Sequence, residues 1–388
     1  MGIVGAGPAG LVLGHLLHLA GIDAVVLEAR SREYVEQRVR AGVLEHGTVE
    51  LLKEMGVGER MERQGLVHQG VELRFAERGH RIDFDDLTGG RSITVYGQQE
   101  VVKDLIAARL DFGGELLFEV EDVEPRGIDT DSPALRFVHD GEERVLECDV
   151  IAGCDGSHGV CRDAVPEGVL SFHERIYPFA WLGILAEASP SSDELIYAHH
   201  PRGFALQSMR SPEVTRLYLQ CDPDDQIEAW PDERIWDELE TRLASGDFRV
   251  NRGPIFERGI TPMRSFVTEP MQHGRLYLAG DAVHIVPPTG AKGLNLAVAD
   301  VRVLAHGLER WFESGDDTAL KAYSETCLTR VWRTQYFSWW MTTMLHRMPG
   351  DEDGFGARLQ VAQLDYLCSS RAASASLAEN YVGLELEL

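Results

Sequence analysis

The first 28 residues constrain the fold of this chain more than any other stretch. A short apolar run enters Gly5-Ala6-Gly7-Pro8-Ala9-Gly10, an apolar helical segment follows to about Ala20, and a second apolar run, 24–27, ends on Glu28. Order and lengths are those of a βαβ unit that holds a dinucleotide. Gly5 permits the tight turn, Gly7 lets backbone approach a pyrophosphate, and Gly10 lets helix and strand pack closely. The helix N-terminus offers unpaired N–H groups to phosphate, and Glu28 is placed to accept a ribose hydroxyl. A lone GxGxxG is weak evidence, but here strand, helix and the acid ~20 residues on all stand where the mechanism needs them. A glycine-rich turn without a ligand is the alternative. Only residues 1–4 precede the turn, so the first strand is unusually short.

Two further glycine motifs lie far downstream. A predicted strand over 145–152 runs into Gly153-Cys154-Asp155-Gly156-Ser157-His158-Gly159, with Arg162 three residues on. A strand over 275–279 runs into Gly280-Asp281, and Pro287-Pro288-Thr289-Gly290-Ala291-Lys292-Gly293 then opens an amphipathic helix with apolar Leu294, Ala297, Val298, Val301 and Leu304. An acid at a strand end can bind a ribityl hydroxyl, and a helix N-terminus aimed at a flavin ring stabilises the negative charge that develops on reduction. Either motif alone is compatible with an ordinary turn; three in this order form a far more specific pattern.

With 388 residues, 44% of them hydrophobic, the chain can build two lobes around a shared core. Sixty-three acids against thirty-seven bases give a net charge of −26, which repels nucleic acid and anionic membrane. An anionic ligand must then be held by local cations, so individual arginines in apolar surroundings are informative. Apolar stretches fall short of the ~20 residues that span a bilayer, and the N-terminus has neither the positive region of a secretory signal nor, with Ala6, a myristoylation pattern. The six cysteines show no CxxC pair or zinc-type spacing, so no metal is expected, and reduced structural thiols in a cytoplasm are the favoured reading.

Between 165 and 264 the pattern changes to short strands rich in Tyr, Phe, Leu and Ile, read as a mixed sheet covering one face of the cofactor. Ser208 and Arg210 share a face of one strand, as do Arg216 and Tyr218 on the next. A guanidinium fork beside a hydroxyl suits a benzoate carboxylate, although either arginine alone reads more readily as a snorkelling edge residue. Trp332, Trp339 and Trp340, with Phe337 and Met341, form a helix too apolar to be fully exposed.

Taken together, GAGPAG, CDGSHG and GDAVHIVPPTGAKGLNL resemble the single-component FAD-dependent aromatic hydroxylases, the last two motifs being close to those of the 4-hydroxybenzoate 3-monooxygenases. The likeness extends over essentially the whole chain, through RAGVLE (40–45), Tyr96-Gly97-Gln98, HHPRGF (199–204), FSWWMT (337–342) and ENYVG (379–383). It implies a mixed α/β fold: a Rossmann-like FAD-binding domain in two pieces (1–170 and 265–345), an inserted β-rich substrate domain (171–264) and a C-terminal helical interface segment (346–388). It implies that Glu28, Arg40, Gln98, Asp281, Gly290 and the backbone around Leu294 and Asn295 contact FAD. Ser208, Arg210 and Tyr218 would bind a substrate carboxylate, with Tyr197 facing a phenol, Tyr381 behind it and the Pro288 carbonyl on the same side. His68 would complete a proton path to solvent, a role resting mainly on the family, since a lone histidine is more often a satisfied one.

The implied reaction is hydroxylation of 4-hydroxybenzoate to 3,4-dihydroxybenzoate by NAD(P)H and O2 through a flavin C4a-hydroperoxide. Arg216 would stabilise an outward swing of the flavin. Arg38, Arg40, His158 and Arg264 match NAD(P)H-contacting positions, with NADPH favoured and NADH the alternative, because Ala29 replaces a family arginine while Glu33 and Glu36 add negative charge. A homodimer is expected by the same resemblance. Three rival readings are the same chemistry on 3-hydroxybenzoate or 3,4-dihydroxybenzoate, a flavin-free nicotinamide dehydrogenase, which leaves Gly280-Asp281 and the 287–293 loop unexplained, and a non-catalytic flavin-binding or interaction protein, which would require loss of the catalytic tyrosines.

Overall fold

The length of each apolar run, and whether one side or both must be buried, decides which layer each strand joins. The computed structural model describes residues 1–38, 42–351 and 354–386. In chain order, the elements that position the site begin with β1 (Gly2–Val4), α1 (Pro8–Leu19) and β2 (Val25–Leu27). They continue with β3 (Gly70–Phe75), β4 (Arg78–Asp83), β5 (Ile151–Gly153), β6 (Ser171–Ala186), β7 (Leu195–Ala198), β8 (Ala205–Met209) and β9 (Thr215–Cys221). Last come α2 (Asp232–Arg242), β10 (Ile255–Glu269), β11 (Leu276–Leu278), α3 (Gly293–Ser314), α4 (Tyr323–Leu345), α5 (Phe355–Ser369) and α6 (Arg371–Val382).

The fully apolar runs β1, β5 and β11 are buried throughout and lie side by side, in parallel, at the centre of one sheet. Strand β2 and then Leu116–Leu117 extend it on one side and Gln272–His273 on the other. Parallel strands buried on both faces read as continuous hydrophobic runs, and helices α1 and α3 pack together over this sheet. The mixed α/β class with a Rossmann-like lobe holds. The expected strand over 145–152 is instead two: Glu142–Glu147 belongs to a separate antiparallel meander and only Ile151–Gly153 enters the parallel sheet. The reason is burial, since Glu142–Glu147 alternates exposed and half-buried positions whereas β5 is covered on both faces.

The second sheet runs, among the described residues, in the order His284–Ile285, β10, β6, β9, β8, β7, β3, β4. It draws on residues 70–83 as well as on the 171–269 stretch, β3 pairing in parallel with β7 (Leu73 opposite Tyr197). Its strands are not all short, because β6 and β10 span 16 and 15 residues and pair along most of their length. Charged and proline residues hide them: Pro178 sits where the register shifts between Ile176 and Ala180, a bulge that lets a strand continue past a residue with no N–H to donate. One face, with Leu182, Ile184, Leu217 and Leu219, packs on α2 through Ile235, Trp236 and Leu239. The other, with Trp181, Tyr197, Phe204 and Leu206, faces α4, α5 and α6. No helix among the described residues is long and apolar enough to cross a membrane.

Candidate active site

Three turns distant in sequence meet at one groove of about 910 Å³, lined among others by Gly7, Glu28, Gln98, His158, Asp281 and Leu294. Gly5 adopts φ +102°, and a Cβ there would lie 2.3 Å from the Cys154 carbonyl, so the turn can be held only by glycine. A Cβ on Gly10 would lie 2.0 Å from the Gly5 carbonyl, which fixes how closely α1 approaches β1. Around Gly7 there is nothing within 4 Å of such a Cβ: the N-terminus of α1 opens onto the groove, with no side chain capping it. A bare helix N-terminus flanked by glycine, with an acid at the end of β2, fits a dinucleotide phosphate and ribose. Glu28 accepts from the Ala6 and Arg30 N–H groups, 2.8 Å each, which ties the acid to the turn it serves.

Arg38 also lines the groove; Arg40 lies outside the described residues. Arg264 does not line it: the residue sits on β10, with Glu174 3.3 Å from its Nη1 and its guanidinium 5.8 Å from the Phe266 ring. Gly290 is not among the residues that line the groove and lies against Phe337, to which a Cβ would come within 3.2 Å. Asn295 acts through its side chain as a clamp, donating to the Val43 and Ala291 carbonyls and accepting from Glu45 N–H at 2.9–3.0 Å. The Pro288 carbonyl accepts from Ala291 N–H at 2.9 Å.

On the second sheet, strand register brings the other candidates together. Tyr197, Leu206, Tyr218 and Gly183 form one row across β7, β8, β9 and β6 on the helix-facing side, and Ser208 opposite Arg216 forms part of the next row. Arg210 follows at the β8–β9 hairpin, its N–H donating to the Val214 carbonyl at 2.9 Å. Burial, set against the Tyr218 hydroxyl, pushes the Arg210 guanidinium down to about 10, so it remains a cation near neutrality. Arg216 lies 5.1 Å from the Tyr218 ring, and its Nε and Nη1 find no hydrogen-bond partner among the described residues.

Tyr197 and Tyr381 are both 1% exposed, and their hydroxyls hydrogen-bond each other across 184 residues of sequence. Burial raises both phenols above their ordinary value. Neither therefore holds a negative charge at neutral pH, and the pair can pass a proton only by concerted exchange of hydrogen bonds. His68, on the strand Leu66–His68, is buried with neither ring nitrogen partnered among the described residues. Burial pushes it down to about 4, which leaves a neutral imidazole free to take a proton on one nitrogen and release one from the other. Trp181, Phe204 and His346 stack on one another at 4.4–5.8 Å, and Phe204 brings this aromatic cluster to 6.1 Å from the Tyr197 ring.

Some residues now seen to shape the site were given no role from sequence. Lys292, 3% exposed, donates to Glu45 at 2.7 Å and to the Tyr381 carbonyl at 2.9 Å. Arg162 ties two of the glycine turns by donating to the Ser157 and Ala282 carbonyls at 3.0 and 3.1 Å. Asp300 accepts from Gly280 N–H at 3.0 Å and pairs with buried His284 at 2.6 Å, holding the turn that carries Asp281. The available signal was a lysine and an aspartate set in runs otherwise made of glycine and apolar residues.

The sequence profile of a family described as an FAD binding domain matches residues 1–338. The chain belongs to this family. A p-hydroxybenzoate hydroxylase from Acinetobacter baylyi is 47% identical over 387 residues, covering 100% of this chain and 95% of that protein. A 12-dehydrotetracycline 5-monooxygenase/anhydrotetracycline 6-monooxygenase from Streptomyces rimosus is 29% identical, covering 77% and 60%. Among solved structures, a p-nitrophenol 4-monooxygenase from Pseudomonas putida superposes with a TM-score of 0.83 at 20% identity, covering 99% of this chain and 98% of its own, which supports the fold. As a member of the FAD binding domain family the protein is a flavoprotein monooxygenase with FAD as cofactor, and NAD(P)H is the co-substrate typical of the family.

Proposed function

We propose that the protein hydroxylates 4-hydroxybenzoate beside its phenol, giving 3,4-dihydroxybenzoate, with NADPH and O2 as co-substrates. The observation that carries this reading is that one face of one sheet, with Tyr197, Ser208 and Tyr218, brings a buried hydroxyl couple (Tyr197 with Tyr381 of α6) together with the hairpin cation Arg210. An aromatic acid with its phenol opposite its carboxylate satisfies both groups at once, and the 47% identical relative named for p-hydroxybenzoate supports the same ring. FAD, when bound in the groove, supplies the activated oxygen.

The chain's own residues do the rest. Arg210, Ser208 and Tyr218 fix the carboxylate. Tyr197 takes the phenolic proton while giving its own to Tyr381, Tyr381 in turn gives its own onward, and His68 takes that proton on one nitrogen and releases one from the other to solvent, so that each relay member ends neutral. Loss of that proton drives electron density onto the ring carbon that must attack, so deprotonation gates the reaction without a charged base buried beside the flavin. The aromatic shell excludes water during oxygen transfer, and the Pro288 carbonyl faces the phenol side. Arg216, whose unpartnered nitrogens suit an anionic contact, steadies the flavin during its movement. Arg38 and His158, with Arg40, meet the NADPH phosphates, whereas Arg264, outside the groove and beside Glu174, drops out of that set.

A homodimer in the cytoplasm completes the proposal. Exposed Trp332 and Tyr336 on α4, 43% and 63% accessible, support a covered apolar face, and six free cysteines suit a reducing compartment. Tyr197→Phe tests the central step. Substrate affinity stays near that of the parent while NADPH oxidation uncouples from product formation; full coupling in that variant would sink the relay.

A further inference from the structure

Helix α6 carries Tyr381 in its last turn, where carbonyls lack intrahelical partners. Among the described residues the Gly383 N–H makes no backbone hydrogen bond back into the helix. Side chains close this end instead. Lys292 places its ammonium on the Tyr381 carbonyl at 2.9 Å, the favourable sign of charge for a helix C-terminus. Glu45 holds that ammonium at 2.7 Å. Gly383 has φ +92°, and a Cβ there would lie 2.1 Å from Glu45 Oε2, so the chain turns directly over the ion pair.

Beyond Gly383 the chain borders a cavity of about 300 Å³ whose walls include Lys292, Glu45, Arg330 and Leu384. Arg330, one-third of the way along α4, donates to the Leu384 carbonyl at 2.6 Å and to the Glu385 carbonyl at 3.3 Å. Arg91 pairs with the Glu385 carboxylate from the other side.

We propose that residues 383–386 form a strap, fastened by Arg330, that sets the position of the Tyr381 hydroxyl against Tyr197 by covering the Lys292–Glu45 pair on the end of α6. Arg330 and Gly383 are then positioning residues for the proton relay, and the inference rests on the relay reading given above. The physical basis is leverage. A hydroxyl-to-hydroxyl relay works over a narrow range of distances, and a shift of ~1 Å in a reacting group costs about a hundredfold. Releasing the strap lets water reach the ion pair and frees the last turn of α6, while Ser208 on the sheet and Arg210 at its hairpin, and the glycine turns at Gly5 and Gly156 in the FAD groove, held by other elements, stay in place.

The test uses FAD-loaded full-length protein with 4-hydroxybenzoate bound. Arg330→Ala, Arg330→Lys and Gly383→Ala are compared with the parent for the pH at which the bound phenol ionises, read from ligand absorbance, and for product formed per NADPH consumed. Flavin content and substrate Kd are measured alongside. The expected result is that Arg330→Ala and Gly383→Ala move ionisation to higher pH and lower coupling by about tenfold to a hundredfold. Flavin content and Kd hold, and Arg330→Lys recovers most of the loss.

Ionisation and coupling equal to those of the parent in Arg330→Ala would overturn the proposal. So would a loss shared by flavin content and Kd that lysine does not rescue. Tyr197→Phe run in parallel separates the two readings: if it stays coupled the relay itself fails, whereas if it uncouples and Arg330→Ala does not, only the strap fails.

Discussion

Substituting alanine at Gly7 and at Gly10 probes the same turn by opposite physics. At Gly10 a methyl would lie 2.0 Å from the Gly5 carbonyl oxygen and 3.2 Å from Ile3 Cγ2. Non-bonded carbon and oxygen do not approach within about 3 Å, so α1 must back away from β1 by about 1 Å; overpacking of that kind costs typically 1–3 kcal/mol. The upper part of the range applies because the obstructing atom is backbone and cannot rotate aside. The FAD groove is formed by that same turn, so recovering its geometry on binding costs the same energy and weakens FAD roughly 5- to 150-fold.

At Gly7 the methyl meets nothing within 4 Å and the backbone, at φ −74°, is acceptable to alanine. Stability of the apoprotein should therefore change by less than about 0.5 kcal/mol. FAD should nevertheless bind at least tenfold more weakly, because the methyl stands in the path of the pyrophosphate. Urea unfolding of the apoproteins together with fluorescence titration by FAD separates the two. Gly10→Ala loses on both measures and Gly7→Ala on the second alone. Parental FAD affinity in Gly7→Ala would refute the placement of the phosphates at the start of α1.

Removing the carboxylate clamp with Arg210→Ala should weaken 4-hydroxybenzoate by about 1.5–3 kcal/mol, roughly 10- to 150-fold in Kd, measured by flavin absorbance titration; an unchanged Kd would contradict the assignment. Stability should fall on acidification. Burial holds His68 at about 4 and His346 at about 3, both below the ordinary histidine value, so the unfolded chain binds more protons. The stability contributed by the neutral rings is fully present above about pH 6.5 and is lost as pH falls toward 4 and 3, at up to about 1.4 kcal/mol per pH unit each. Urea midpoints across that window test this, and His68→Asn should flatten the slope by one proton; a slope identical to that of the parent would contradict it.

The parallel core and its glycine turns were legible because each demand there is local: a buried strand is a short apolar run, and a turn over a phosphate requires glycine at fixed offsets. The second sheet was only partly legible. Pro178 and the charged residues of β6 interrupt the alternation that marks a strand, and the bulge at Ile176–Ala180 that accommodates them depends on pairing with β10. The early hairpin β3–β4 joins this sheet through β7, a contact more than a hundred residues away that no local pattern announces. Ser208, Arg210, Arg216 and Tyr218 could be placed by spacing because alternation along a strand fixes their faces. Lys292 and Glu45 could not, since their importance comes from meeting across 247 residues, and a sequence does not display which buried charge finds which.

The most direct test of the central claim is an absorbance spectrum of the purified protein, followed in the same cuvette by NADPH oxidation with and without 4-hydroxybenzoate. The account predicts a flavin spectrum, oxidation strongly stimulated by 4-hydroxybenzoate, and 3,4-dihydroxybenzoate as product. A flavin spectrum with no stimulation would contradict the assigned substrate, and a colourless protein that cannot be reconstituted with FAD would contradict the account as a whole.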